Sequence, residues 1–426
     1  MLKPAAAGVG ALLVALTSAC QSGTATHTNT GARPAGTPTS TSAAHIPHAT
    51  AATTGTPAPN PGGLSDAQTV GALFMVYVYG SGAHNATPAQ RAANIALYGV
   101  ATPAEVVSRW HPGGVILIDH NNLDEQRPAL STGNVDGPTQ ITALTAGLQH
   151  AALADTGMPL LIATDQEGGR VQRITNGVTP RPAQRDLAGT SPAALACSYF
   201  GLGRQLRALG VNQDFAPDAD VVTTSTGVIG DRSFGPDPLL DATDVQAAVT
   251  GLQDAGVLAT LKHWPGHGST STDSHAQFAV IYESALTWRT HDRVPFAQSA
   301  PIAAGIMVGH LALPALDPSG QAATFSPTLV RDLLRGQLGY SGLIITDSLW
   351  MEPARAAGSP GQVALLALNA GDDIQLEPPS LPDSVKALEA AMLTDPAQRA
   401  RIQAAAGRVL KAKEKLNRPT ISPPGC

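Results

Sequence analysis

Cysteine is scarce: three residues in a chain of 426 exclude a scaffold built from disulfides. Aromatic residues make up 4%, too few for long stacking platforms along an extended polymer. Only 14% of residues are charged, and 26 basic against 32 acidic side chains give a net charge of −6 with no basic block. No nucleic acid is therefore expected as a partner, because a phosphate backbone needs a clustered positive face. The apolar run Pro4 to Ala19 is too short to cross a bilayer comfortably.

What the chain does have is apolar mass. Hydrophobic residues reach 43%, enough for a large core over most of the length. At ~150 residues per domain the length suggests two or three domains, but one (β/α)₈ barrel with insertions fits equally well.

Residues 1–20 read as an export signal. Lys3 precedes the uncharged Pro4–Ala19 run, which ends in Leu16-Thr17-Ser18-Ala19-Cys20. This end resembles a bacterial lipobox, whose cysteine is lipidated, although Leu16 sits four residues before Cys20 rather than three. The alternative reading is ordinary signal cleavage beside a chance cysteine. Residues 21–65 follow as a flexible linker: 36 of the 45 are Gly, Pro, Ser, Thr or Ala, and Arg33 is the lone charged residue. Residues 66–417 are expected to form the folded domain, with 418–426 as a tail. Cys197 and Cys426 remain, and sequence leaves open whether they pair.

Eight short apolar runs punctuate the expected domain: 73–78, 115–118, 160–164, 212–216, 257–261, 306–308, 343–346 and 373–376. Helical spacing fills the intervals. Val245, Ala248, Val249 and Leu252 follow a candidate cap at Asp241 and stop at Gly256; Ser326-Pro327 opens another segment. Eight strands alternating with helices predict a parallel α/β fold, and eight close naturally into a TIM-type barrel. A doubly wound sheet competes. The barrel is favoured because several runs end in polar residues, namely Asp165, Lys262-His263, His310 and Asp347. A barrel gathers such strand ends on one face.

Four segments carry possible chemistry. Asp165-Gln-Glu-Gly-Gly-Arg-Val-Gln-Arg173 offers a carboxylate for hydroxyl groups, or else a glycine-rich turn in which Glu167 pairs with an arginine. Arg232, in Gly230-Asp-Arg-Ser-Phe-Gly235, offers a donor fork, or else a surface pair with Asp231 or Asp237. Lys262-His-Trp-Pro-Gly-His-Gly268, running on to Asp273-Ser-His275, is the densest polar stretch. Asp273 and His275 are two apart, so an acid can orient an imidazole that donates and then accepts a proton. A zinc site is the other reading of these histidines, but their spacing on a glycine loop matches no zinc motif. Asp347, at the end of an apolar run, suits a nucleophile or a helix cap.

Together these segments resemble glycoside hydrolase family 3, specifically its exo-β-N-acetylglucosaminidase branch. The resemblance also rests on Asn212-Gln-Asp-Phe-Ala-Pro217 and on Thr346-Asp-Ser-Leu349 with Met351, and it covers about Asp66 to Leu410. It implies a retaining mechanism on a TIM barrel, with Asp347 as nucleophile, His275 as acid/base and Asp273 as its dyad partner. Asp165, Arg232, Lys262 and His263 match positions that hold hydroxyls of the terminal sugar. The dyad separates this branch from family β-glucosidases, which usually take an acid/base glutamate from a second domain; none is expected here, since the chain ends soon after the eighth run. Ser348 stands where some relatives carry a second aspartate. Trp264 replaces a commoner Phe, and a change in packing at the sugar's edge is expected.

The resulting expectation is an exported, lipid-anchored or secreted enzyme that needs no cofactor or metal and releases terminal GlcNAc from peptidoglycan fragments. Phosphorolysis stays open, since a neutral histidine base does not repel phosphate. A β-glucosidase or β-xylosidase of the same family, a metal-dependent hydrolase and a silent sugar-binding lipoprotein are the alternatives.

Overall fold

Eight parallel strands form the frame in the computed structural model, which describes residues 59–222, 227–270, 272–274, 277–417, 419–423 and 425–426. They are β1 (Phe74–Val76), β2 (Gly114–Ile116), β3 (Leu161–Thr164), β4 (Gln213–Asp214), β5 (Leu258–Trp264), β6 (Gly305–Val308), β7 (Leu343–Thr346) and β8 (Gln375–Leu376). Each pairs with its sequence neighbour, and β8 returns to β1 with Phe74 opposite Gln375. The remaining seam, β7 to β8, is held by Thr346 N–H donating to Ile374 O at 2.9 Å and Ile374 N–H to Ile344 O at 3.1 Å. The sheet thus closes into the expected (β/α)₈ barrel.

The apolar runs lack polar alternation because both strand faces are covered. On β1 and just beyond, Phe74, Val76 and Val78 face the helices, while Met75, Tyr77 and Tyr79 fill the barrel. The same alternation puts Val115 and Ile162 outside, with Ile116 and Leu161 inside. Trp264 belongs to the outer layer. It is fully buried, edge-on to Trp288 and Phe296, and its indole donates to Leu329 O at 3.0 Å. It therefore packs against helices and not at the edge of a sugar.

Helix starts follow local chemistry. Ser65, Thr87, Thr102 and Ser359 each form a reciprocal capping box with Gln or Glu three residues on. The helix expected behind Asp241 begins earlier, at Pro238, and is capped by Asp237, which accepts from Leu239 N and Leu240 N. Asp241 lies inside that helix and is buried. The Ser326 hydroxyl accepts from Leu329 N at 3.0 Å, and the helix Thr328–Gln337 behind it is wound as a π-helix.

Both ends of the described chain are tied to the barrel. Residues 59–65, counted with the linker from composition, pack into it: the Asn60 amide donates to Asp66 at 2.8 Å and accepts from Gln403 at 2.9 Å. The tail from 419 is held by Ile421 N–H on Asp254 O, and Cys426 forms a disulfide with Cys197 on the helix Pro192–Ala208. Cys20 and the remaining residues before 59 lie outside the described residues.

Candidate active site

The C-terminal ends of the strands converge on a cavity of about 400 Å³, toward the small end of ligand sites. Asp165 follows β3, Lys262 and His263 belong to β5, Asp347 follows β7, and Arg232 comes from the loop after β4; all line the cavity. Sequence placed Lys262-His263 beyond the fifth strand, but the strand runs on through Trp264. Its register shifts between Leu261 and Trp264. Such an irregularity re-aims side chains, consistent with two consecutive residues facing one cavity.

A buried charge network organises one wall. Lys262 Nζ lies 2.8 Å from Asp165 Oδ1 and 2.6 Å from Glu167 Oε1. Arg232 grips Glu167 through both oxygens, Nε to Oε2 at 2.8 Å and Nη2 to Oε1 at 2.9 Å. Glu167 therefore pairs with an arginine 65 residues away, not with a neighbour in its own turn. Arg232 in turn is buried, and its expected surface partners are used elsewhere: Asp231 pairs with Arg170, and Asp237 caps a helix. Arg170 Nη2 also binds the carbonyls of Gly227, Val228 and Ile229 within 3.0 Å, fixing the loop that delivers Arg232.

Ionisation follows from these contacts. Burial opposes charge on Glu167, but Arg232 and Lys262 outweigh it and hold its pKa at about 2. Asp165 is likewise opposed by burial, and Lys262 and Arg173 bring it below the usual carboxylate range. The wall thus presents paired, fully ionised groups whose remaining valences suit sugar hydroxyls.

His263 is oriented from behind. Its Nδ1 meets Asp220 Oδ2 at 2.7 Å, and its Nε2 faces Arg232 Nη2 at 3.3 Å. Asp220 also accepts from the backbone of His263 and His267. Burial opposes ionisation of Asp220, yet His263 and neighbouring donors hold it at about 2. Asp218, Asp220 and His263 offer three ligand atoms within 4.8 Å of one another. Arg232 Nη2 sits 3.4 Å from the Asp218 carboxylate, however, so a cation already occupies that electrostatic niche. The set shares only His263 with the histidines that suggested zinc. Asp218 and Asp220 went unnoticed in the sequence, although, like the other clusters, they follow an apolar run.

Asp347 is not a helix cap; the short helix after it is capped at Met351. Its N–H pairs with Val308 O at 2.9 Å, extending the strand, and its Oδ1 accepts from Ser348 N at 2.7 Å. Ser348 is held by its hydroxyl on Glu377 at 2.6 Å and by its carbonyl on His310 Nε2 at 2.9 Å. Glu377, on the cavity wall, was not among the sequence candidates. His310, just after β6, supports Ser348.

The loop after β5 starts from a tight approach. A Cβ on Gly268 would stand 1.9 Å from Val221 O, so only glycine passes there. His267 Nε2 then meets Ser274 Oγ at 2.8 Å, tying the loop back on itself. Asp273, next to Ser274, is exposed and is not part of the cavity lining. His275 lies outside the described residues. The cavity thus assembles Asp165, Arg232, Lys262, His263 and Asp347.

Residues 96–412 match the glycosyl hydrolase family 3 N-terminal domain. The chain belongs to glycoside hydrolase family 3. This family 3 chain is 36% identical over 285 residues to a β-hexosaminidase of Nitrosomonas eutropha, spanning 65% of the chain and 76% of the relative. It is 37% identical over 313 residues to a β-hexosaminidase of Bordetella avium, spanning 70% and 83%. A family 3 β-N-acetylglucosaminidase from a Paenibacillus species superposes with a TM-score of 0.73 at 32% identity, covering 84% of this chain and 65% of that protein. A β-N-acetylhexosaminidase of Beutenbergia cavernae gives 0.70 at 31%, covering 82% and 99%.

Proposed function

We propose that the chain is a retaining exo-β-N-acetylglucosaminidase acting outside the cytoplasm on fragments of peptidoglycan. The observation that carries the activity is the shared cavity: Asp347 faces the space that the Asp165, Lys262, Glu167 and Arg232 network borders. The similar β-hexosaminidases and β-N-acetylglucosaminidases support the same substrate class. A cavity of about 400 Å³ suits one terminal sugar rather than an internal stretch of chain.

In this reading the ionised wall fixes the sugar hydroxyls. Asp347, held by the Ser348 N–H, attacks the anomeric carbon and forms a glycosyl ester. The family resemblance gives His275, with Asp273 as dyad partner, the role of protonating the leaving oxygen and then deprotonating the incoming water. Lys262 and Arg232 keep the surroundings of the carboxylates compensated without spending the nucleophile.

Export is supported by the signal-like composition of residues 1–20 and by the Cys197–Cys426 disulfide, since such bonds persist in oxidising compartments. The lipid anchor at Cys20 and the muropeptide substrate belong to the same proposal. Transfer of the protein from the membrane to the soluble fraction in Cys20→Ser would support anchoring, and an unchanged distribution would remove it.

The activity is tested with paired aryl β-GlcNAc and aryl β-glucoside substrates, with and without phosphate. Preference for the N-acetyl sugar, free GlcNAc as product and a loss on the order of 10³-fold or more in Asp347→Ala are expected. Near-normal turnover in Asp347→Ala would overturn the nucleophile, and glycosyl phosphate as main product would overturn hydrolysis.

A further inference from the structure

Among the described residues, two buried polar atoms on the cavity wall are left without partners. Glu377 is 6% exposed; its Oε2 accepts from the Ser348 hydroxyl at 2.6 Å, but its Oε1 has no hydrogen bond. Asn121 is 4% exposed; its Oδ1 accepts from Leu123 N at 3.0 Å, but its Nδ2 has no hydrogen bond. Both residues line the same cavity as Asp347 and Asp165. Buried polar atoms are ordinarily satisfied, so two orphans of opposite sense at one site call for a ligand.

They also share a neighbour. Burial pushes the Tyr77 phenol up; Glu377's charge adds to the effect, and the nearby Asn121 side chain opposes it, although neither the phenol oxygen nor Asn121 Nδ2 completes a hydrogen bond among the described residues. The backbone contributes as well. Glu377 sits at φ +48°, a left-handed conformation that a non-glycine residue adopts at a cost and that recurs at ligand sites. Its N–H is fixed on Met75 O at 2.7 Å, which pins the carboxyl at the β8–β1 seam.

An acceptor and a donor placed together are satisfied by an alcohol, which gives one hydrogen bond and takes another. We propose that Glu377 Oε1 and Asn121 Nδ2 together bind one hydroxyl of the terminal sugar, making Glu377 a specificity-determining residue opposite the Asp165–Lys262–Arg232 wall. Its second oxygen simultaneously holds Ser348, whose N–H aims Asp347. Sugar selection and nucleophile alignment are therefore joined through one side chain. Burial pushes the Glu377 carboxyl up to about 7, with Asp165 and Asp347 adding to the effect, so it is mostly ionised at pH 8 and able to accept.

This inference rests on the proposed glycosidase reading, which the Asp347→Ala measurement tests separately. The experiment is a substrate–variant cycle at pH 8 with 4-nitrophenyl β-GlcNAc and its 3-, 4- and 6-deoxy derivatives, all sharing one aglycone. Glu377→Ala is expected to lower kcat/KM roughly 10- to 100-fold on the parent sugar. One deoxy derivative should cost the wild type a similar factor yet cost Glu377→Ala nothing further. Asn121→Ala should lose its sensitivity at the same position. Glu377→Gln, which keeps the shape and an oxygen for Ser348, runs the same cycle if the Ala variant does not fold. Strictly multiplicative losses at all three positions, or wild-type kcat/KM in Glu377→Ala, would overturn the proposal. In each of those outcomes Asp347→Ala still separates this failure from that of the glycosidase reading.

Discussion

Replacing Glu167 with Gln removes one charge from the buried network and keeps its volume. Glu167 is 1% exposed, and its two cationic partners, Lys262 and Arg232, are 3% and 8% exposed, so solvent cannot take over their compensation. The carboxyl is held at about 2 against an ordinary 4.5. At 1.36 kcal/mol per pH unit that gap is worth about 3 kcal/mol, at the low end of the ~3–5 kcal/mol lost when a buried ion pair is broken from one side. The sign is set by linkage: a depressed carboxylate stabilises above its unfolded value, and the contribution is lost as pH falls from about 4.5 toward 2. Urea unfolding followed by tryptophan fluorescence should place Glu167→Gln about 3 kcal/mol below wild type at pH 7, with the difference shrinking through that acid window. A loss under ~1 kcal/mol, or one that stays constant from pH 7 to pH 3, would refute the assignment of Glu167 as hub. KM for an aryl β-GlcNAc should also rise in the variant, because Lys262 and Arg232 lose their common anchor.

Asp214 gives the opposite pH behaviour. Burial raises its carboxyl to about 7 from 3.8, despite the Gln166 N–H on Oδ1, so native stability falls as pH rises from about 4 to about 7 and is flat above. Asp214→Asn should match wild type near pH 4 and exceed it by a few kcal/mol, about 4, at pH 8; equal thermal midpoints at both pH values would contradict this. Cys197→Ser releases the tail at Cys426 and should lower the thermal midpoint by an amount corresponding to ~2–4 kcal/mol. An unchanged midpoint would mean that the link contributes nothing to the fold.

Much of the frame was legible because parallel strands covered on both faces read as unbroken apolar runs. All eight runs became barrel strands, and Ser326-Pro327 marked the start of the helix behind it. The errors share one cause. The fifth strand was cut short at Leu261 because Lys262 and His263 are polar, yet they stay within it because Asp165, Glu167 and Asp220 arrive from other loops to compensate them. One of the two readings of Arg232 paired it with neighbours in sequence, while its partner lies 65 residues away. Asp241 was given the cap that belongs to Asp237, since both precede the same apolar spacing and only the backbone trace separates them.

Sequence alone determined the fold class, the strand count and the residue types available for chemistry, because periodicity and short motifs are local properties of the chain. Tertiary structure decided which charges meet. It made Glu167 the hub of the site, put Asp218 and Asp220 behind His263, packed Trp264 against helices and paired Cys197 with Cys426. It also brought Glu377 to the cavity wall through closure of β8 onto β1. Hydrogen bonds and ion pairs act over about 3 Å, so they depend on where distant segments land, and that is fixed only when the barrel shuts.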